Sequence, residues 1–348
     1  MAYSSIVKPS DYFNTKLYTG NGGTQSITGV GFQPDMVWTK QRDAVRNHVL
    51  FDAVRGATNG VKPNESQAEF TWTNSVTSFD TDGFSVGGAG EVNYSSGSMA
   101  SWNWKANGQG SANTDGSINT TYTSANTTSG FSISKYTGTG STGTIGHGLG
   151  AEPEVIIVKK LNSSESWFSY HKPLGNTGRL VLNTTDAVAN DAGYWNSTTP
   201  TSSVFSVTSN GSNNASGDTY IAYCFAPKTG YSKFGSYTGD GNTNGPFIYT
   251  GFKPAFVLIK SSSDTGNWHL ADNKRIGFNP WNYRIQPSDS NAEYQGSAIY
   301  SDFLSNGFNL RNSDTDSNGS GRTYIYMAIA EEPLVANSGT DGVPATAR

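Results

Sequence analysis

The residues able to do chemistry are few and scattered. There are four histidines, His48, His147, His171 and His269, and one cysteine, Cys224. His48, His171 and His269 stand in or beside the segments "HVLFD", "WFSYH" and "WHLAD", which echo one another along the chain. They therefore belong to separate copies of one unit, not to one catalytic cluster. His147 lies in "GTIGHGLG", which lacks the Gly-Lys-Ser/Thr ending and the following helix of a phosphate loop. The chain has no H-E-x-x-H and no Cys/His metal pairing. Polysaccharide depolymerases work with paired carboxylates, which leave no short signature. The expectation is a protein without enzymatic activity or cofactor. Cys224 sits in the apolar run "YIAYCFA" and reads as a buried thiol.

Three further patterns carry potential chemistry. "DTDSNGSG" places Asp314, Asp316 and Asn318 at alternate positions, the first half of a calcium loop, but Ile325 stands where a bidentate Glu would close it. It reads as a solvated turn, and no metal is expected. Asp52 with Arg55, and Asp272 with Arg275, recur at one offset and suggest an exposed ion pair that fixes a loop. Trp195 and Trp281 lie in the loop-rich stretches "GYWNSTTP" and "NPWNYR", where an aromatic face would be placed to stack on a pyranose; Trp167 and Trp268 complete the set of candidate ligand residues. The bland alternative for Trp195 and Trp281 is an aromatic plug at the end of a sandwich.

The elements that must position these residues are short strands. Charged residues make up only 14% of 348 and glycine is high at 41, with Ser, Thr and Asn filling the remaining polar positions. That composition suits strands joined by tight turns. A net charge of -4 without a Lys/Arg cluster gives no footprint for nucleic acid. The N-terminal stretch lacks a signal-peptide core, and no segment approaches the ~20 apolar residues of a membrane span. Synthesis and assembly in a reducing cytoplasm are expected.

The chain repeats itself three times. "FQPDMVWTK" (Phe32 to Lys40), "AEPEVIIVK" (Ala151 to Lys159) and "FKPAFVLIK" (Phe252 to Lys260) are preceded by "YTGNG", "YTGTG" and "YTGDG". Eight residues after each lysine come His48, Trp167 and Trp268, followed by "DGFSV", "SVFSV" and "NGFNL" and by the closing runs "MASWNW", "YIAYCF" and "YIYMAI". Five landmarks in one order mark three copies of a unit of roughly 95 residues. The apolar runs bounded by turn signals predict an all-β chain of three tandem, homologous antiparallel β-sandwich (jelly-roll-like) modules. A propeller is less favoured because it usually needs at least four blades.

The expected boundaries are an N-terminal docking arm at 1–15, modules at 16–107, 131–230 and 231–334, and a C-terminal tail at 335–348. Residues 108–130, almost wholly Gly, Ser, Thr and Asn, read as a linker, in which "INTTYTS" could pair as an edge strand. The arm has too few apolar residues to belong to a core. The short junction near "PKTGYSK" implies that modules two and three are closely apposed.

As a set, "DYFNTKLYTGNGGTQSITGVGFQPDMVW", "TTSGFSISKYTGTGSTGTIGHGLGAEPEVIIVK", the W-x-x-Y-H of Trp167 to His171 and the closing "GTDGVPATAR" resemble the repeat modules of virion structural and tail proteins of tailed bacteriophages of marine and freshwater bacteria, cyanobacteria included. The resemblance covers about Asp11 to Arg348. It implies a building block of a phage particle, in a tail, fibre or capsid decoration, with other virion proteins and copies of itself as partners. The alternative is an adhesin that recognises host surface glycan. Repeat one departs from the pattern with His48 in place of Trp, and repeat three has "YMAI" where repeat one has "SWNW", so a ligand site at these positions need not occur three times.

Overall fold

A strand that alternates apolar and polar residues is buried on one face, whereas one that is apolar throughout is buried on both. The echoed strands Met36–Gln41 and Phe252–Ser261 are of the second kind, with every residue buried, and Val155–Lys160 is nearly so. The structure, a computed structural model that describes residues 4–296 and 301–335, shows why. The chain is all-β and every paired strand is antiparallel, as expected.

One strand order recurs in the three segments. An opening strand (Phe13–Thr19, Phe131–Thr137, Ser232–Thr238) pairs with the closing strand (Ser98–Trp104, Thr219–Phe225, Thr323–Pro333). The closing strand pairs with the echoed strand, and that with the strand after it (Val49–Asp52, Phe168–His171, His269–Asp272). A smaller sheet covers one face of each. Its core pairs are Gln25–Thr28 with Gly83–Val86, Gly143–Gly146 with Val204–Val207, and Phe247–Tyr249 with Gly307–Leu310.

Neighbouring residues on the echoed strands point into different cores. Val37, Ile156 and Val257 face the small sheets, packing with Phe84, Phe205 and Phe308 respectively. Met36 and Trp38, Val155, and Phe256 and Leu258 face the other way, into one core to which all three segments contribute. Each segment therefore has a core of its own between its two sheets, but that is only part of the arrangement. The largest cluster is shared, with Trp102, Trp104, Tyr223, Phe225 and Met327 meeting in it.

The segments close into a ring through matching backbone bonds at each seam. Glu69 N–H donates to Leu161 O at 2.8 Å and Glu165 N–H to Ser66 O at 2.8 Å. Val188 N–H donates to Ser262 O at 2.9 Å and Gly266 N–H to Thr185 O at 2.8 Å. Between the third and first segments, Glu293 N–H donates to Arg42 O at 2.6 Å and Arg46 N–H to Ser290 O at 2.9 Å. All three segments, and not only the second and third, are thus apposed.

Thr120–Asn126, inside the stretch read as a linker, is an edge strand paired with Phe131–Thr137, the pairing left open for "INTTYTS". The described part of the N-terminal arm is not a free docking element. Ile6 is 3% exposed and belongs to the shared core, while Ser4 N–H donates to Val335 O at 3.2 Å. One well-placed isoleucine suffices to seat a short polar segment, which a count of apolar residues does not register. Of the C-terminal tail, residues 336–348 lie outside the described residues.

Candidate functional site

The recurring tryptophans hold the seams. Trp167 Nε1–H donates to Lys62 O at 2.9 Å, and Trp268 Nε1–H donates to Val181 O at 2.9 Å, each in the preceding segment. His48 does the same for the third seam. Trp38 Nε1, which can only donate, lies 2.9 Å from His48 Nδ1, so the proton sits on Nε2, 3.2 Å from Gln286 O. Burial lowers the His48 pKa well below its ordinary value, keeping the ring neutral. Histidine in place of tryptophan thus preserves a donor at the same place.

The Asp–Arg pairs also belong to seams, and they are buried, not exposed. Asp52 and Arg55 have no side-chain exposure and bond through Nε; Tyr223 of the second segment donates to Asp52 Oδ2 at 2.6 Å. Asp272 and Arg275 repeat this, with Trp102 of the first segment donating to Asp272 Oδ2 at 3.1 Å. Arg275 continues to Glu293 at 2.8 Å, which also holds Arg42 at 2.6 Å. Burial alone lowers the Arg55 pKa, but Asp52, Tyr223 and Glu69 outweigh it and hold the guanidinium above its ordinary value. The second segment carries His171 and Leu174 at these positions. His171 is 3% exposed and 3.0 Å from Tyr326 O, a carbonyl that can only accept, so its Nε2 carries the proton. Burial lowers its pKa to about 4.

Lys40, Lys159 and Lys260 end the echoed strands with fully buried side chains. Each ammonium donates to the next residue's carbonyl, at 2.6, 2.7 and 2.6 Å. Lys159 and Lys260 also reach across a seam, to Ser66 O and Thr185 O, both at 3.3 Å. Burial lowers all three pKa values to about 8.

A fourth recurrent feature was missed in the sequence. Asn93, Asn214 and Asn318 are wholly buried. Their Oδ1 atoms accept from Asn21, Thr139 and Asp240 N–H at 2.8, 2.8 and 3.0 Å, just after the "YTG" landmarks. The landmark tyrosines donate to the carbonyls of the residues before them, at 2.6, 2.7 and 2.6 Å. The landmark glycines are required because a Cβ on Gly20, Gly138 or Gly239 would run into a backbone carbonyl. The signal was Asn followed closely by Ser-Gly in "NYSSG", "NASG" and "NGSG". The calcium-like "DTDSNGSG" is the third copy of this clamp. Its Asp314 and Asp316 pair with Arg284 at 3.1 and 2.9 Å. Among the described residues no group of three or more His, Cys, Asp or Glu converges on a cation position.

Trp195 and Trp281, chosen as stacking platforms, are each 2% exposed. Trp195 ends the short helix Ala192–Trp195 and packs edge-on against Tyr170, ring centres 5.8 Å apart. Trp281 is covered by Phe303, stacked at 6.4 Å, by His269 at 5.4 Å and by the Arg275 guanidinium at 5.2 Å. With Trp167 and Trp268 at 0% and 4%, none of the four offers a ring face to a sugar. In loops this rich in polar residues an aromatic is the main apolar group available, so it is drawn inward. Trp281 does border an open pocket of about 420 Å³ on the third segment, together with Asn273, Lys274, Phe278 and Phe303.

The family model for DUF7483, a domain of unknown function, matches residues 8–333. The chain belongs to this family. No curated protein and no solved structure matches it. One model runs across all three segments, in keeping with a ring whose segments share a core. No helix of the described residues is long and apolar enough to cross a membrane.

Proposed function

We propose that the protein is a non-enzymatic structural component of a tailed-bacteriophage virion, in a tail, fibre or capsid decoration, assembled in the host cytoplasm with other virion proteins and with copies of itself. The phage assignment is supported by the sequence resemblance. The structural role is supported by one observation, the use of ionisable residues as internal ties. Asp52, Arg55, Asp272, Arg275, His48 and His171 are all buried at or beside seams, where they lock the three segments together. A body locked in this way keeps its outer sheets in fixed relation, which suits a lattice or shaft component.

The reading is tested by mass spectrometry and immunogold labelling of purified particles made by the genome that encodes the chain. The chain is expected in fixed stoichiometry to a major virion protein, with label at one location. Its absence from particles would overturn the proposal. The adhesin alternative no longer rests on the four tryptophans, and the third-segment pocket is the feature that bears on it.

A further inference from the structure

The pocket on the third segment has the composition of a binding site. Its volume, about 420 Å³, lies within the ~300–1,000 Å³ typical of small-ligand sites. Phe278 stands at its border with 70% of its surface exposed, the highest value among the exposed large apolar residues described. Trp281 and Phe303 supply further apolar lining. The half-buried Asn273 brings an amide to the lining.

The charge is also specific. Lys253 is neutralised by Glu331 at 2.7 Å, and Asp272 is taken by Arg275. Lys274 forms no ion pair among the described residues, so the pocket keeps one uncompensated cation. Where the third segment has Asn273 and Lys274 after its Asp, the first has Ala53 and Val54, and the second has Lys172 and Pro173 after His171. Val54 is buried, so the first segment presents no lysine at this place.

We propose that this pocket binds a carboxylated pyranose, the hexuronate unit of an acidic polysaccharide. The Phe278 ring packs on the C–H face of the sugar, the Lys274 ammonium pairs with its carboxylate, and the Asn273 amide serves a hydroxyl. A neutral sugar would leave the lysine unused, and a purely apolar ligand would leave both the lysine and the amide unpaired. The site stands whether or not the chain is a virion component.

The test is calorimetric titration of the full chain with an oligogalacturonate and with a neutral oligoglucoside of equal length. Saturable binding of the uronate, at least tenfold tighter than the neutral sugar, is expected. Phe278→Ala should weaken it tenfold or more, and Lys274→Ala should bring it to the level of the neutral sugar. Both side chains project from a surface loop, and unchanged thermal transitions of the variants confirm that the fold is intact. Equal binding of the two sugars overturns the carboxylate assignment. Absence of saturable uronate binding, or binding that both variants retain, overturns the site.

Discussion

The seam between the third and first segments and the seam between the second and third meet the same packing demand with opposite chemistry. At the first, Asp272 pairs with Arg275 and receives Trp102 Nε1–H. At the second, the residue in the register position of Trp102 is Met327: Trp102 pairs with Trp38 as Met327 pairs with Leu258. Methionine has no hydrogen to give, so a buried aspartate there would lack its third partner. The chain places neutral His171 and apolar Leu174 instead, and His171 finds a backbone carbonyl. A buried charge is tolerated only where its whole set of partners is present. Where one partner is lost, the others are lost with it.

The largest test of that contrast is removal of the acids. Asp272→Ala leaves Arg275 buried without its close carboxylate and should cost about 3–5 kcal/mol in urea unfolding, as removal of one partner from a buried pair does. His171→Ala strands only a carbonyl and should cost about 1–3 kcal/mol. Equal losses would break the comparison.

Transplanting one seam into the other sharpens it. His171→Asp alone should lower the melting temperature severely, because Leu174 offers no cation. His171→Asp with Leu174→Arg should recover a large part of that loss. If the double variant is no better than the single one, partner completeness is not the rule.

Acid should distinguish the seams next. His48, His147, His171 and His269 all have pKa values lowered by burial. The unfolded chain takes up these protons below about pH 6.5, while folded His171 does so only near 4. Stability is therefore fully present above 6.5 and falls as pH drops towards 4, with His171 alone carrying about 3 kcal/mol over that window. Thermal melts across it should show the fall, and His171→Leu should flatten it. On the alkaline side the buried lysines act with the same sign. Their folded values of about 8 lie below the unfolded 10.5, so stability should rise above pH 8. Buried tyrosines such as Tyr237, with raised pKa values, should turn it down again above about pH 10.

The last expected difference, between two variants at one position, concerns the tryptophan donors. Trp268→Phe keeps most of the ring in the shared core but leaves Val181 O unpaired, and should cost about 1–3 kcal/mol. Trp268→Ala also empties the core and should cost about 3–5 kcal/mol. Near-equal losses for the two variants would mean that the hydrogen bond across the seam, not packing, holds that position.

Much of the strand pattern was legible because it depends on neighbours in sequence. Continuous apolar runs such as "EVIIVK" announce strands buried on both faces, and "YTG" announces a tight turn, since side-chain alternation and glycine conformation are local properties. What lay behind the second face was not legible. Trp167 and Trp268 read as candidate ligand residues because a tryptophan in a polar loop looks the same whether it meets solvent or another segment's carbonyl. Asp52 and Asp272 read as exposed because their Arg partners are three residues away, while Tyr223 and Trp102, which complete them, are 171 and 170 residues away. Asn318 reads in sequence as part of a solvated turn because its true partners begin at Asp240, 78 residues away. The sequence by itself determined the all-β class, the threefold recurrence of its landmarks and the turn chemistry, all set by contacts within a few residues. Only the tertiary structure decided that the segments close into a ring, since that closure depends on bonds such as Arg42 to Glu293, 251 residues apart, which no local pattern encodes.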